Sequence, residues 1–296
     1  MRRGLVIDRE AQMIGVYLFD EDETYRGIPR KKVLKKTKIY AGDYVLGNVV
    51  DPQTFAIEDV EERKNLLVRP PVANVDRAII VVAIKNPDFD NFLLDNLLVV
   101  YEHEGVDPVI VFNKIDTLQT EEELKELEKW TSIYTNAGYD VAKVSAKTGE
   151  GIDKIKEYVK GSICILAGPS GVGKSSILSA LLGIELETRE VSEKTGRGRH
   201  TTTGVRLFKF GENSFIGDAP GFSKVDALLF MDKKEVKDYF REFLRYTCKY
   251  PNCTHTNEPE CGVKEAVKEG EISCERYKSY LKIIKAFVED LEELCS

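Results

Sequence analysis

The chain has 296 residues, 42% of them hydrophobic and 31% charged, and its 43 Lys and Arg against 50 Asp and Glu leave a net charge of −7. That length suits two or three domains with separate cores, while the acidic balance excludes a molecule that is basic over its whole surface. The longest apolar run, residues 78–84, falls far short of the roughly 20 residues of a membrane helix, and the first nine residues lack the apolar stretch of a secretion signal, so a cytoplasmic protein without membrane association is expected.

To about residue 68 the chain alternates short β-rich runs with turn residues. Strands are predicted at 4–7, 14–19, 44–50 and 54–60, punctuated by Asp20-Glu21-Asp22-Glu23, Ala41-Gly42-Asp43 and Asp51-Pro52-Gln53. Short strands at close spacing without a helical period predict a small, OB-like five-stranded β-barrel over 1–68. Between Arg26 and Lys38 the sequence carries seven basic residues and no acid. A basic loop of this kind neutralises phosphates on an otherwise acidic surface, which nominates Arg30, Lys31, Lys32, Lys35 and Lys36 as RNA contacts.

Arg69-Pro70-Pro71 reads as a stiff connector. Strands then alternate with helices: strand 78–84, helix 91–104, strand 108–112, helix 121–136, strand 141–144, helix 152–159, strand 162–166 and helix 176–182. β-Branched runs between amphipathic helices predict a parallel sheet covered on both faces, an α/β domain over 69–223. The segment 224–296 is polar and helical, with helices expected at 233–246 and 274–295. Tyr277, Tyr280, Leu281, Ile284 and Phe287 recur at helical spacing and read as a packing stripe.

The α/β part carries nucleotide chemistry. Asn113-Lys114-Ile115-Asp116 ends the strand 108–112. A carboxylate at Asp116 can accept from both N1–H and the exocyclic amine of guanine, whereas adenine offers no such donor pair and would strand the acid. Ser145-Ala146-Lys147 follows after one helix and one strand and resembles the G-protein motif whose backbone faces the guanine oxygen. Gly168-Pro169-Ser170-Gly171-Val172-Gly173-Lys174-Ser175 matches the phosphate loop, with a strand before it and a helix opening at Ser176. Its glycines turn N–H groups toward phosphates and the helix end adds positive potential. Lys174 would reach the β- and γ-phosphates in a catalytic role, and Ser175 would ligate Mg²⁺. Asp218-Ala219-Pro220-Gly221 ends a further apolar run: Asp218 suits Mg²⁺ through water, and the Gly221 N–H suits the γ-phosphate. Between the two lies Gly196-Arg197-Gly198-Arg199-His200-Thr201-Thr202-Thr203-Gly204, in which Thr202 is the candidate to complete the Mg²⁺ shell.

The six cysteines are expected to be reduced. Cys248-x₄-Cys253-x-His255-x₅-Cys261 suits a closed tetrahedral site for one structural zinc, with Cys274 as a substitute ligand for His255. Such a metal would hold together a small domain with too few apolar residues for a core. Cys164 falls in a buried strand.

These motifs resemble the G-protein superfamily, except that N-K-I-D and S-A-K precede the phosphate loop. Starting the sequence at Ser162 restores the usual order, so the chain looks like a circularly permuted GTPase. With a barrel in front, the G-R-H-T-T-T segment and a cysteine cluster behind, it closely resembles the ribosome-small-subunit-dependent GTPase A family along essentially its whole length. The resemblance implies a late factor in maturation of the small (30S) ribosomal subunit, binding GTP and GDP and the subunit's rRNA, stimulated by the subunit and acting as a monomer. Many G proteins place Gln directly after D-x-x-G to orient water; this chain has Phe222, and His200 is the replacement the segment offers. Two other readings follow from the residues. One is a nucleotide-gated RNA-binding assembly chaperone with incidental hydrolysis, favoured by the missing Gln; the other is a metal-handling GTPase, disfavoured by the closed ligand set.

Overall fold

A computed structural model describes residues 1–10, 13–68, 70–184, 205–218, 226–288 and 291–295. The chain divides into two compact units, Met1–Ile79 with Ala146–Ala167 and Gly173–Gly221, and Ile80–Ser145 with Gly168–Val172 and Phe222–Ser296.

The first unit opens with strands β1 (Arg2–Glu10), β2 (Met13–Leu18) and β3 (Glu23–Pro29), the short helix α1 (Lys31–Lys36), β4 (Tyr44–Asp51) and β5 (Thr54–Val60). These strands close a barrel in the order β1-β2-β3-β5-β4. Alternation explains the closure: Ile14, Val16 and Leu18 of β2 and Phe55 and Ile57 of β5 point inward and are almost fully buried. The expected five-stranded barrel is present, but the basic stretch is not a loop. Glu23–Pro29 is the third strand, and Lys31–Lys36 is a helix that plugs the barrel with Val33, 2% exposed. β3 is hard to read because its inward position after Tyr25 is Gly27, where a Cβ would lie 2.7 Å from a Val16 methyl, while the apolar Ile28 faces out, 47% exposed.

Beyond the barrel come β6 (Arg77–Ala83), α2 (Asn91–His103), β7 (Asp107–Asn113), α3 (Glu121–Ala137), β8 (Asp140–Lys143), α4 (Ile152–Val159), β9 (Ile163–Ala167), α5 (Lys174–Leu182), β10 (Leu207–Lys209) and β11 (Phe215–Asp218). In the first unit β11 runs parallel to β9, with Asp218 level with Leu166, and antiparallel to β10. In the second, β6, β7 and β8 are successive neighbours, and β7 and β8 are parallel. The strand–helix alternation matches the reading from apolar periodicity. Local signals set the ends: Asp90 caps α2 by accepting from the Leu93 N–H, and Thr120 with Glu123 forms a capping box that starts α3.

The segment after residue 226 departs from expectation. The helix expected at 233–246 is replaced by two 3-10 turns, Val236–Tyr239 and Phe243–Arg245. These direct Phe240 and Phe243 into one core, their rings stacked at 5.0 Å. Then follow α6 (Gly262–Lys268), α7 (Cys274–Ile283) and α8 (Leu291–Leu294). The single helix expected over 274–295 is broken, with Lys285 in the left-handed region at φ 54. Cys274 and Cys295 form a disulfide with Cα atoms 5.5 Å apart, whereas a continuous helix would separate them by about 30 Å. Neither cysteine is therefore reduced, and Cys274 is no metal ligand. Of the packing stripe, Tyr277, Tyr280, Leu281 and Ile284 are buried and Phe287 is 78% exposed. Nor is this region short of a core: Phe240, Phe243, Val263, Val267, Tyr277 and Tyr280 join Val99 and Val100 of α2 in one apolar cluster. Among the described residues no helix is long and apolar enough to cross a membrane.

Candidate functional site

In the second unit, β7 delivers Asn113 at its last position, and the next residue, Lys114, adopts the left-handed region at φ 64. That turn starts the 3-10 segment Ile115–Thr117, which carries Asp116. The Asn113 amide donates to the Val172 carbonyl at 2.8 Å, and the Lys114 ammonium donates to the carbonyls of Gly171 and Asn86. Ser145 Oγ donates to Asp116 Oδ1 at 2.6 Å, fixing one oxygen of the carboxylate. Asn113 and Ser145 are buried. Asn113 and Lys114 thus grip the phosphate-loop backbone, and Ser145 orients the acid; a charge-assisted bond of this kind is stronger than a neutral one. Gly168, at φ +123, lies so close to β6 that a Cβ would sit 2.1 Å from the Val81 carbonyl. Only glycine fits there. The contact to Asn86 was not foreseen: no motif contains that residue.

In the first unit, Gly173, at φ 95, is the N-cap of α5, and Lys174 is buried in the helix's first turn. Helix α5 packs on β11, whose last residue is Asp218, level with Leu166 on β9. Ser175 and Ser176 occupy the same first turn of α5, and Ala146 and Lys147 also belong to this unit. Of the other predicted nucleotide residues, Pro169 and Ser170 lie with Gly171 and Val172 in the loop of the second unit. His200, Thr202, Gly221 and Phe222 lie outside the described residues. Burial in β9 pushes the Cys164 thiol up to about 12, as expected of an inert core cysteine.

The second unit also collects Cys248, Cys253, His255 and Cys261, whose ligand atoms all lie within 4.8 Å of one another. His255 Nδ1 is 3.5 Å from Cys248 Sγ and 3.4 Å from Cys261 Sγ, and the two sulfurs are 3.7 Å apart. A tetrahedron built on metal–sulfur bonds of about 2.3 Å and a metal–nitrogen bond of about 2.0 Å has edges of about 3.8 and 3.5 Å. The four groups thus fit one tetrahedral metal, with His255 rather than Cys274 as the fourth ligand. Supports that no motif announced hold the loop: Tyr277 Oη donates to the His255 carbonyl at 2.7 Å and Tyr280 Oη to the Thr254 carbonyl at 2.6 Å. The Lys237 ammonium donates to the Cys253 carbonyl at 2.8 Å.

On the barrel, Arg30 and Lys32 face Glu58, and Lys36 faces Asp59, while Lys31 and Lys35 are exposed. Exposed pairs of this kind are weak, so they leave the cations able to exchange partners.

The RsgA GTPase family model matches residues 60–228. The chain is 43% identical over 287 residues to the small ribosomal subunit biogenesis GTPase RsgA of Thermotoga petrophila, covering 95% of each chain. It is 40% identical over 289 residues to the protein of that name from Bacillus cereus, covering 94% of each. Among solved structures it resembles YjeQ from Thermotoga maritima, at a TM-score of 0.82 and 39% identity over 96% of this chain and 97% of that one. It also resembles YloQ, described as a circularly permuted GTPase, at a TM-score of 0.80 and 28% identity over 96% and 94%.

Proposed function

The chain belongs to the RsgA GTPase family, and from that premise we propose that it hydrolyses GTP to GDP and phosphate during late maturation of the small ribosomal subunit, stimulated by that subunit. It is a circularly permuted GTPase with a role in small-subunit biogenesis. One observation supports guanine selectivity above others: the Asp116 carboxylate is oriented by Ser145, while Asn113 and Lys114 beside it hold the carbonyls of Val172 and Gly171. Base recognition and phosphate-loop shape are thereby linked through adjacent residues.

In this reading Asp116 accepts the two guanine donors, and Ala146 and Lys147 present backbone to the guanine oxygen. The N–H groups of Gly168 and of Ser170 to Ser176 cradle the phosphates, and Lys174 balances charge on the β- and γ-phosphates as the bond to the leaving GDP lengthens. Ser175 and Asp218 would hold Mg²⁺, with Thr202; α5 packed on β11 suits a cation shared by those two elements. The ion supplies charge neutralisation on the phosphates when bound. Gly221 would meet the γ-phosphate. His200 would orient the attacking water, a task Phe222 cannot perform, so turnover without a partner should be slow. Zinc in the Cys248, Cys253, His255 and Cys261 site would be structural, and the basic residues from Arg30 to Lys36 would contact rRNA. A monomeric, cytoplasmic protein with domains at 1–68, 69–223 and 224–296 completes the reading.

The test is steady-state hydrolysis of GTP, with ATP as control, alone and with purified small subunits. Strong stimulation confined to GTP and to subunits is expected, with His200→Ala losing most of the stimulated rate. Unstimulated turnover would remove the ribosomal coupling. The chaperone reading, which Phe222 favours, expects GTP-dependent subunit binding with no gain in turnover.

A further inference from the structure

One hollow of the first unit belongs to neither the nucleotide motifs nor the basic stretch. It encloses about 410 Å³ and is lined by Arg3, Phe19, Asp20, Tyr44, Asn213 and Phe215, with Gly161 at its margin. Four of these come from the barrel, whereas Asn213 and Phe215 come from the hairpin that carries Asp218. The Phe19 and Tyr44 rings are stacked with centroids 6.3 Å apart, and Phe215 meets Phe19 edge-on at 6.2 Å. The Arg3 guanidinium lies 3.9 Å above the Tyr44 ring and is held there by Glu61 through bonds of 2.8–3.2 Å. Asp20 is exposed, with Arg2 Nε 3.5 Å away. Asn213 is exposed in the hairpin turn at φ 52.

We propose that this hollow binds one unstacked, amino-bearing nucleobase of single-stranded RNA, a site distinct from the GTP site and from the basic helix. The inference rests on structured RNA being the partner. The volume is that of a small-ligand pocket. Its aromatic and guanidinium surfaces are those on which splayed RNA bases stack. The polar groups select among bases: the Asp20 carboxylate only accepts, and the Asn213 amide both donates and accepts. An exocyclic amine satisfies Asp20. Uracil presents a carbonyl where cytosine presents that amine, and would set one acceptor against another, a mismatch that the exposed pair with Arg2 offsets only in part. The side chains of Arg2 and Arg3, 42% and 52% exposed, flank the hollow on β1 and suit the adjoining phosphates.

The test is fluorescence anisotropy of the full chain with labelled hexacytidylate and hexauridylate RNA, which have the same ring size and differ in the amine. The expected result is that wild type binds hexacytidylate about fivefold more tightly. Asp20→Asn, a surface change, should bring the two within about twofold. Phe19→Leu should weaken both about tenfold without changing basal GTP turnover, which reports an intact fold. Lys31→Ala/Lys35→Ala should weaken both equally and flatten the salt dependence. Equal affinities for the two RNAs, together with an Asp20→Asn protein indistinguishable from wild type, would overturn the pocket while leaving RNA binding through the lysines intact. Failure of wild type to bind either RNA would overturn the pocket and weaken the RNA reading itself. If binding of intact subunits responded to Phe19→Leu while binding of neither RNA did, the hollow would not seat a base of single-stranded RNA and the assignment would be wrong.

Discussion

Two polar clusters sit in the second unit, and they are built on opposite plans. Cys248, Cys253, His255 and Cys261 come from one stretch of fourteen residues and converge through a local loop. Arg276, Asp95 and Glu242 come from α7, α2 and the 3-10 region. The Arg276 guanidinium donates to both oxygens of Glu242, at 2.7 and 3.1 Å, and to Asp95 Oδ1, which also accepts from Tyr134 Oη at 2.9 Å. Arg276 is 1% exposed and lies 4.4 Å from the centre of the Phe240 ring. The first cluster could be completed by a metal ion, since three thiol groups and an imidazole satisfy one another poorly. The second carries its own countercharge, but its one cation faces two acids, the buried Asp95 Oδ2 accepts no hydrogen bond among the described residues, and burial raises the Asp95 pKa although Arg276 opposes the rise. A metal site thus tolerates sequence locality, whereas a buried charge network can only be closed by the tertiary fold.

Metal removal should produce the largest effect. Structural zinc contributes about 10–16 kcal/mol to peptides that have no other core. Here Phe240, Phe243, Tyr277 and Tyr280 belong to a larger apolar core that also takes in Cys253 and Cys261, so a loss on the order of 5–10 kcal/mol is expected, below that range. A chelator should release one metal per chain and lower the unfolding midpoint sharply, with zinc restoring it; an unchanged midpoint after verified metal loss would show that the core alone holds the loop. The second cluster should rank next. Arg276→Ala leaves two buried carboxylates uncompensated and should cost about 3–5 kcal/mol in denaturant unfolding, while replacing Arg276, Asp95 and Glu242 together by Met, Leu and Leu should recover most of that loss. A triple variant as unstable as the single one would mean that shape, not charge, dominates.

The same contrast decides what could be read from residues alone. The Asn113–Asp116, Ser145–Lys147 and Gly168–Ser175 motifs and the Cys/His spacing were legible because each groups residues a few positions apart. The barrel was legible through alternation except at β3, where Gly27 occupies an inward position and Ile28 an outward one. The link from Lys114 to the Asn86 carbonyl, the Arg276 network and the Cys274–Cys295 pair were not legible. Each joins positions whose approach depends on packing rather than periodicity, and the disulfide reversed the expectation of a single terminal helix. Tyr277 combines both cases: its spacing declared it buried, but not its bond to the His255 carbonyl. Tyr277→Phe should cost about 1 kcal/mol in the metal-bound protein, measured by denaturant midpoint. A larger relative loss after chelation would show that the hydroxyl and the metal hold the same loop, and an unchanged cost would make their contributions independent.

The smallest effect concerns an acid at the surface. Glu123 bonds Lys85 at 2.6 Å and accepts from the Gln119 and Thr120 N–H groups at the start of α3. Lys85 first, and those N–H groups next, bring its pKa down from 4.5 to about 2. A carboxylate with a depressed folded pKa binds fewer protons folded than unfolded between those values, so its contribution is complete above pH 4.5 and fades as pH falls toward 2. Glu123→Gln keeps a carbonyl to accept the capping bonds but removes the charge that faces Lys85. Wild type should therefore exceed the variant in stability at pH 6, and the gap should close progressively on titration to pH 2.5. Denaturant midpoints for both proteins across that window measure it. Parallel curves would mean that the acid's charge does nothing for the helix start. Unlike the Arg276 network, this pair keeps its water, so its loss should remain a small local effect even where the curves diverge most.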